Sequence, residues 1–389
     1  QHADMDAIKQ LSAEFWNPEF WLPENVTWED LKSDKDTFIP SVSDLLIPLP
    51  VAVLLFGLRI IWERSVALPF GRHINLPETT RRVQPNPTLE TAFRKSRSMP
   101  KKDELKSLSK QTDLEERKIE RWWRIRRNQD KPGELHRFAE TSWRFIVYTS
   151  FFIGGLSILW DKPWLWDTKK CWYGFPRQHV NEQIWWYYML EMGFYYSLIL
   201  TLFTDMKRKD FHLQLAHHSA TLGLMVFSWT LNFVRVGSLV LLLHDMADPF
   251  LESARCLNYC KFNKMCDAMF VAFVIVWFAT RTTLFPIWIL NTTLFESISI
   301  LGWRNCYYVF NSMLIALLIL HIAWSWMILK TLTEYVIEGK VTDIESDAEL
   351  SDSSGDEIVA ESRSQRKAKE QENGVLGQQR QNGVAKRRQ

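Results

Sequence analysis

Cysteine is scarce in this chain of 389 residues: five in all, too few for a disulfide scaffold. Histidine is sparse as well, with nine, and His2, His73 and His136 lie outside any apolar run. The repeated histidine clusters that hold paired irons in membrane oxygenases are therefore missing. No cleavable signal peptide is visible, because the first apolar run starts only at Leu45 and no small-residue cleavage site follows it. The chain opens on Gln1, so its start is expected to lie upstream. Neither sign of charge dominates. With 47 Lys/Arg against 45 Asp/Glu, the net charge of +2 says little about partners.

What the chain has is long apolar runs. A hydrophobic fraction of 47% and a mean hydropathy of -0.17 look like those of a soluble protein, but the averages hide strong segregation. Seven stretches reach the ~20 residues that a membrane helix needs: 45–62, 143–160, 184–203, 211–229, 236–259, 265–290 and 307–330. Many of the 19 tryptophans sit at their ends, as Trp160, Trp164, Trp166, Trp185 and Trp186 do. Indole rings favour the headgroup layer, so the pattern predicts an all-α polytopic membrane protein.

The distribution of charge predicts its orientation. Residues 63–140 carry 19 Lys/Arg against 12 Asp/Glu, and "DMKRKD" (205–210) and "KFNK" (261–264) are short basic loops. All three fall on one side if the spans alternate, which puts them in the cytosol and the N-terminus in the lumen. Asn25, in "NVT", is then a glycosylation acceptor on the lumenal side. Cys256, Cys260 and Cys266 lie near the cytosolic face and should stay reduced. Cys171 and Cys306 fall in lumenal loops, where a bridge and two free thiols both remain open.

Five regions follow. Residues 1–44 form a lumenal segment whose "FWNPEFWLP" is expected to lie against the membrane, and 45–62 is the first span. A basic insert over 72–131 has helical patterns, including "TDLEERKIERWWRIRRNQDKPG", which opens with a capping-box-like Thr112/Glu115 pair. Residues 134–335 form the main membrane domain. The tail, 338–389, has almost no apolar residues and is expected to be disordered. Within it Ser346, Ser351, Ser353 and Ser354 lie in an acidic cluster suited to acidophilic kinases. Phosphates there would add negative charge opposite the basic loops.

The insert's "IERWWRIRR" resembles the third helix of a homeodomain. The match is partial, and the position of the adenine-reading asparagine is Ile125, which cannot make that bidentate contact. A small helical module that does not read DNA is expected.

The chemistry concentrates in "LAHHSATLGLMVFSWTLNFVRVGSLVLLLHDMADPFLESARCLNY" (215–259). Ionisable groups inside a span cost a few kcal/mol each and usually face a cavity or a partner. His217, His218, His244, Asp245, Asp248 and Glu252 all occur here. At ~1.5 Å of rise per residue, His217 lies about 12 Å inside the cytosolic boundary and Asp248 about 20 Å. Imidazoles and carboxylates are therefore expected to meet near mid-membrane. Three readings stand: polar glue between helices, a metal site, and acid–base or nucleophilic catalysis by a histidine with an aspartate partner.

This stretch resembles the signature of the ceramide synthases, within the wider TRAM–Lag1–CLN8 family. The pattern is the His217–His218 pair, then Asn232, Arg235 and Gly237, then His-Asp-x-x-Asp at 244–248, and Glu252. "DKPWLWD", "CWYGFP", "DMKRKDF" and "NTTLFES" resemble animal members too, and the likeness covers 134–335. Pro249, inside the fifth span, departs from a regular helix by removing a backbone hydrogen bond.

The resemblance implies seven transmembrane helices, six of them forming a bundle around a membrane-embedded tunnel, in the endoplasmic reticulum. It implies fatty acyl-CoA and a long-chain sphingoid base as substrates, no bound cofactor or metal, membrane lipids as surroundings, and a homo- or hetero-dimer. His217, His218, Asp245 and Asp248 would be catalytic, with Asn232, Arg235, His244 and Glu252 lining the site. An acyl-imidazole on His217 and a histidine acting only as base are both open. A non-catalytic lipid-sensing or translocon-associated protein is the competing class, and a regulator using the insert is a third.

The resemblance also associates acyl-chain length with the stretch of Glu296, Ser297, Ile298, Ser299, Ile300, Leu301, Gly302, Trp303, Arg304, Asn305 and Cys306, expected as a lumenal loop. Each methylene that a tunnel buries is worth about 0.8 kcal/mol. Exchanging these residues for a relative's is expected to shift the preferred acyl length without abolishing transfer, as read by product mass spectrometry. An unchanged profile would move the determinant into the tunnel walls.

Overall fold

Every regular element in the computed structural model is a helix, with no strand among the described residues. Those residues are 12–24, 26–78, 82–129, 132–203, 205 and 210–338, with Asp6 and Gln10 besides. The expected glycosylation site Asn25, the tail serines and basic residues 206–209 lie outside them.

Four helical stretches are long and apolar enough to cross a membrane: Val42–His73, Glu134–Leu159, Asn263–Leu301 and Cys306–Thr333. The chain is thus a multi-pass membrane protein. The seven runs expected from sequence correspond to helices α1 (Pro48–Trp62), α5 (Glu134–Leu159), α6 (Glu182–Leu202), α7 (Phe211–Thr230), α8 (Val234–Asp245) with α9 (Asp248–Tyr259), α10 (Asn263–Trp277) with its extension, and α11 (Cys306–Glu338).

Two expectations about these runs are corrected. The run 236–259 is not one kinked helix. α8 stops at Asp245 and α9 starts at Asp248, with Pro249 in its first turn, where its missing N–H is tolerated. Each piece is 12 residues, only ~18 Å long. The run 265–290 does not end in a loop either. It passes through π-helical turns at Phe278–Leu290 and Thr292–Glu296 and continues to Leu301, leaving 302–305 as the connection, with Gly302 at φ 77°. Threonine hydroxyls accompany the π turns, Thr282 and Thr283 both donating to the Phe278 carbonyl. Pro286 there lacks an N–H to give.

Part of the segment before α1 packs on protein. Trp21 and Leu22 are buried, and Trp21 stacks on Phe227 of α7 with ring centroids 5.2 Å apart. α1 then lies along α6, where Gly193 lets the Pro48 carbonyl come close. Their ends are joined by Arg59, which donates to both oxygens of Asp205 at 3.0 and 2.9 Å and to Glu63 at 2.7 Å.

The chain divides into two compact units, 1–80 with 130–330 and 81–129 with 331–389. In the second, α2 (Pro87–Lys95), α3 (Lys102–Thr112) and α4 (Glu116–Gln129) enclose a small core of Leu89, Phe93, Leu105, Leu108, Ile119, Trp122 and Trp123. The module's described core starts later than the expected 72, since Arg72 and His73 end the helix that prolongs α1. Thr112 does not cap α4. It closes α3, its hydroxyl bonded to the Leu108 carbonyl, and Asp113 turns the chain at φ 52°. Arg126 grips Glu90 at 2.8 and 2.9 Å, and these hydrogen bonds hold the Glu90 carboxyl below its usual range. All five cysteines are free thiols, including the buried Cys171 and Cys306.

The tightest helix approach in the membrane unit is at Gly237 of α8, where an added Cβ would collide with the Tyr188 hydroxyl. Tyr188 cannot retreat, being fully buried, bonded to Ser228 at 2.8 Å and packed on Trp229. Gly237→Ala is expected to destabilise by about 1–3 kcal/mol, the usual cost of overpacking. A lowered thermal midpoint of the detergent-solubilised protein checks this, and an unchanged midpoint would contradict it.

Candidate active site

α7 and α8 are joined by a tight turn at which Asn232 takes φ 56°, a left-handed conformation that asparagine tolerates. Its Nδ2 donates to the carbonyls of Pro176 and Gln178, both at 2.9 Å. Arg235 donates to the carbonyls of Lys170 and Tyr173 at 2.9 and 3.2 Å, its guanidinium 4.8 Å from the Trp164 ring centre. Both residues, expected in the site lining, instead fasten the α5–α6 connection to the α7–α8 turn. Glu252 is displaced in the same sense. It pairs with Arg255 at 2.7 Å and with Arg144 of α5 at 3.4 Å, tying α9 to α5.

The histidines do converge. The His217 ring stacks on His244 (centroids 5.9 Å, planes 22° apart) and lies 5.5 Å from His218. His244 is in turn 5.0 Å from His321 of α11. Trp324 presents an edge to His217 at 5.4 Å, and its Nε1 donates to Asp210 at 3.0 Å, which fixes the indole. His218 turns away toward Tyr195 of α6, at 5.7 Å, as its position around the helix requires.

The His244 tautomer follows from its partner. Nδ1 lies 2.7 Å from the Val240 carbonyl, which can only accept, so Nδ1 carries the proton and Nε2 keeps its lone pair. That Nε2 is buried and meets no hydrogen-bond partner among the described residues. His244, expected only in the site lining, is therefore built as an acceptor.

The aspartates sit differently from expectation. Neither makes a hydrogen bond or ion pair to His217 among the described residues. Asp245 lies near Glu191, a fully buried carboxyl on α6, neither of whose oxygens meets a hydrogen-bond partner among the described residues. Asp248 faces Arg281 at 3.8 Å. Arg281, buried in the π-helical stretch, also donates to the His244 carbonyl at the end of α8. Among the described residues no group of three or more His, Cys, Asp or Glu is arranged to hold a metal ion.

Glu191, Arg281, His321 and Trp324 were missed in the sequence. The first three had a signal: each is a lone ionisable residue in an apolar run, in "MLEMGF", "FATRTTLF" and "LILHIAW". Trp324 had none, because one more tryptophan among 19 is unremarked.

From His244 a narrow, mostly apolar cavity of about 50 Å³ extends between α6, α7, α8 and α11. Leu224 and Met225 of α7, Val240 of α8, and Leu314 and Leu317 of α11 are among its lining. A nucleophilic or basic imidazole at one end of a greasy cavity suits the transfer of a group carried on a long alkyl chain.

Comparison with known proteins agrees. The TLC domain model matches residues 137–330. The chain is 44% identical to human ceramide synthase 4 over 334 residues, 85% of each protein. It is 41% identical to mouse ceramide synthase 5 over 338 residues, 85% of this chain and 82% of the mouse protein. Ceramide synthase hyl-1 of Caenorhabditis elegans is 32% identical over 346 residues, 85% of this chain and 83% of the worm protein.

Arg281 donates to the His244 carbonyl and faces Asp248, so its loss removes both contacts at once. Arg281→Met is expected to cost about 3 kcal/mol, the range for breaking a buried charge pair. Arg281→Lys should recover part of it. Tryptophan-fluorescence melts in detergent test this, and equal midpoints for Arg281→Met and the parent would refute it.

Proposed function

The chain belongs to the ceramide synthase family, and on that premise we propose that it transfers a fatty acyl group from acyl-CoA to the primary amine of a sphingoid base. The observation that carries the reading is His244, which lines one end of the apolar cavity, with the His217 ring stacked against it. In the reaction the thioester C–S bond breaks and an amide C–N bond forms. The amine loses a proton and CoA leaves as the thiol.

We favour a covalent route. The imidazole of His217 attacks the thioester carbonyl, the CoA sulfur leaves with the ring N–H proton, and the amine resolves the resulting acyl-imidazole, its proton passing by way of His244 to the departing His217 ring. The free Nε2 of His244 accepts the amine's proton, its Nδ1–H anchored on Val240. Trp324, held by Asp210, limits the swing of His217. Arg281 keeps the end of α8, and with it His244, in register.

The proposal extends to topology. α6, α7 and the α8–α9 pair would complete seven spans, with the cavity as the inner part of a tunnel in an endoplasmic-reticulum membrane. The N-terminus would be lumenal. CoA, too charged for the bilayer, would stay at the cytosolic mouth while its acyl chain threads inward.

His217→Ala is expected to abolish amide formation in a folded, membrane-inserted protein. His244→Ala should lower turnover by about 10²–10⁴, as loss of a general base does. The assay is CoA-thiol release with sphinganine, alongside product mass. Near-normal turnover in His217→Ala would remove it from the chemistry. With acyl-CoA alone, an acyl mass on His217 is the covalent outcome, and its absence points to direct attack.

A further inference from the structure

The cavity lining is mostly apolar, with the hydroxyl groups of Tyr195, Thr221 and Ser228 along it, and the end away from the histidines carries the side-chain amide of Asn311 beside Thr293 and Tyr307. On α11, His321 packs beside His244, while Leu317, Leu314 and Asn311 line the cavity in turn. Ten residues of helix put Asn311 roughly 15 Å from His321. On α8, Phe233 and Val236 mark the corresponding end, a similar distance from His244. Asn311 is 7% exposed, and its Oδ1 has no hydrogen-bond partner among the described residues. Its Nδ2 reaches only the Thr293 carbonyl, at a long 3.4 Å, and Thr293 lines the same end.

A buried amide oxygen is stable when a donor meets it and costly when none does. Water can meet it, and so can a hydroxyl. A terminal methyl cannot. An alkyl chain growing from the histidine end gains favourable burial with each carbon until its methyl end fills the space beside the Asn311 oxygen and shuts out any donor. Beyond that point added length is penalised.

Resting on the acyltransferase reading, we infer that Asn311 sets the upper limit of acyl-chain length, by ending an apolar cavity in an amide that a methyl group cannot satisfy. This places a length determinant inside the cavity, on α11, separate from the 296–306 connection. It also names a substrate class that the end should tolerate: acyl chains with a hydroxyl at the terminal carbon.

The test uses the full chain with a competing ladder of saturated acyl-CoAs and sphinganine, products being resolved by mass. Asn311→Leu, alike in branching and heavy-atom count but without the amide, is expected to raise the share of chains longer than the parent's limit about tenfold. Asn311→Asp should shift the limit the other way and keeps the test alive if the leucine variant does not fold. A terminally hydroxylated chain of a length refused when plain should be used by the parent, and should lose that advantage in Asn311→Leu. A length profile identical in all three proteins overturns the inference while leaving the acyltransferase reading intact. So does a change that follows the length of the sphingoid base instead of the acyl chain. No amide product from the parent overturns the acyltransferase reading itself, and the inference with it.

Discussion

α8 stops at Asp245, so the carbonyls of its last turn have no N–H of a continuing helix to meet them and need a donor from elsewhere. In an aqueous protein, water would answer them. Inside a membrane bundle the answer has to come from the chain, and Arg281 provides it by reaching across from the π-helical stretch to the His244 carbonyl. The same guanidinium faces Asp248 at the start of α9. A cation at one helix's C-terminus and a carboxylate at the next one's N-terminus both suit the helix dipoles. His244 sits on the last turn before this break, so the orientation of its ring depends on the bridge.

From that bridge the site follows in order. With α8 held, the Val240 carbonyl accepts from the Nδ1–H of His244, leaving Nε2 open beside His217. Trp324 and Asp210 confine His217 from the α11 side. Residues shared with the family pattern but distant from the rings do a different job. Asn232 and Arg235 secure the α5–α6 connection, and Glu252 joins α9 to α5 through Arg144. Their presence in one short motif with the histidines reflects a shared scaffold rather than shared chemistry.

The cavity joins this polar centre to a low-dielectric channel for hydrocarbon. Its apolar lining suits an alkyl chain without specifying one, since each methylene contributes a similar increment. Discrimination therefore has to come from where the lining changes character. Asn311 and Thr293 mark that change, some three turns of α11 from His321.

The amino-acid sequence by itself determined that the chain is helical and crosses a membrane, because runs of apolar residues with aromatic ends admit little else. It also marked His217, His244 and the aspartates, because ionisable residues are conspicuous in apolar runs. It did not carry the pairings. Whether Asp248 meets His217 or Arg281 depends on which helices become neighbours, and residues 248 and 281 belong to different segments. Run length alone did not reveal that 236–259 would break in two, since hydropathy averages over a proline. Nor did it reveal that 291–301 would stay helical, since the expected loop was placed by where hydropathy falls. The tautomer of His244, the anchoring roles of Asn232 and Arg235 and the polar end of the cavity were decided only by tertiary structure. Each is a matter of which donor faces which acceptor, and such geometry exists only once the helices have packed.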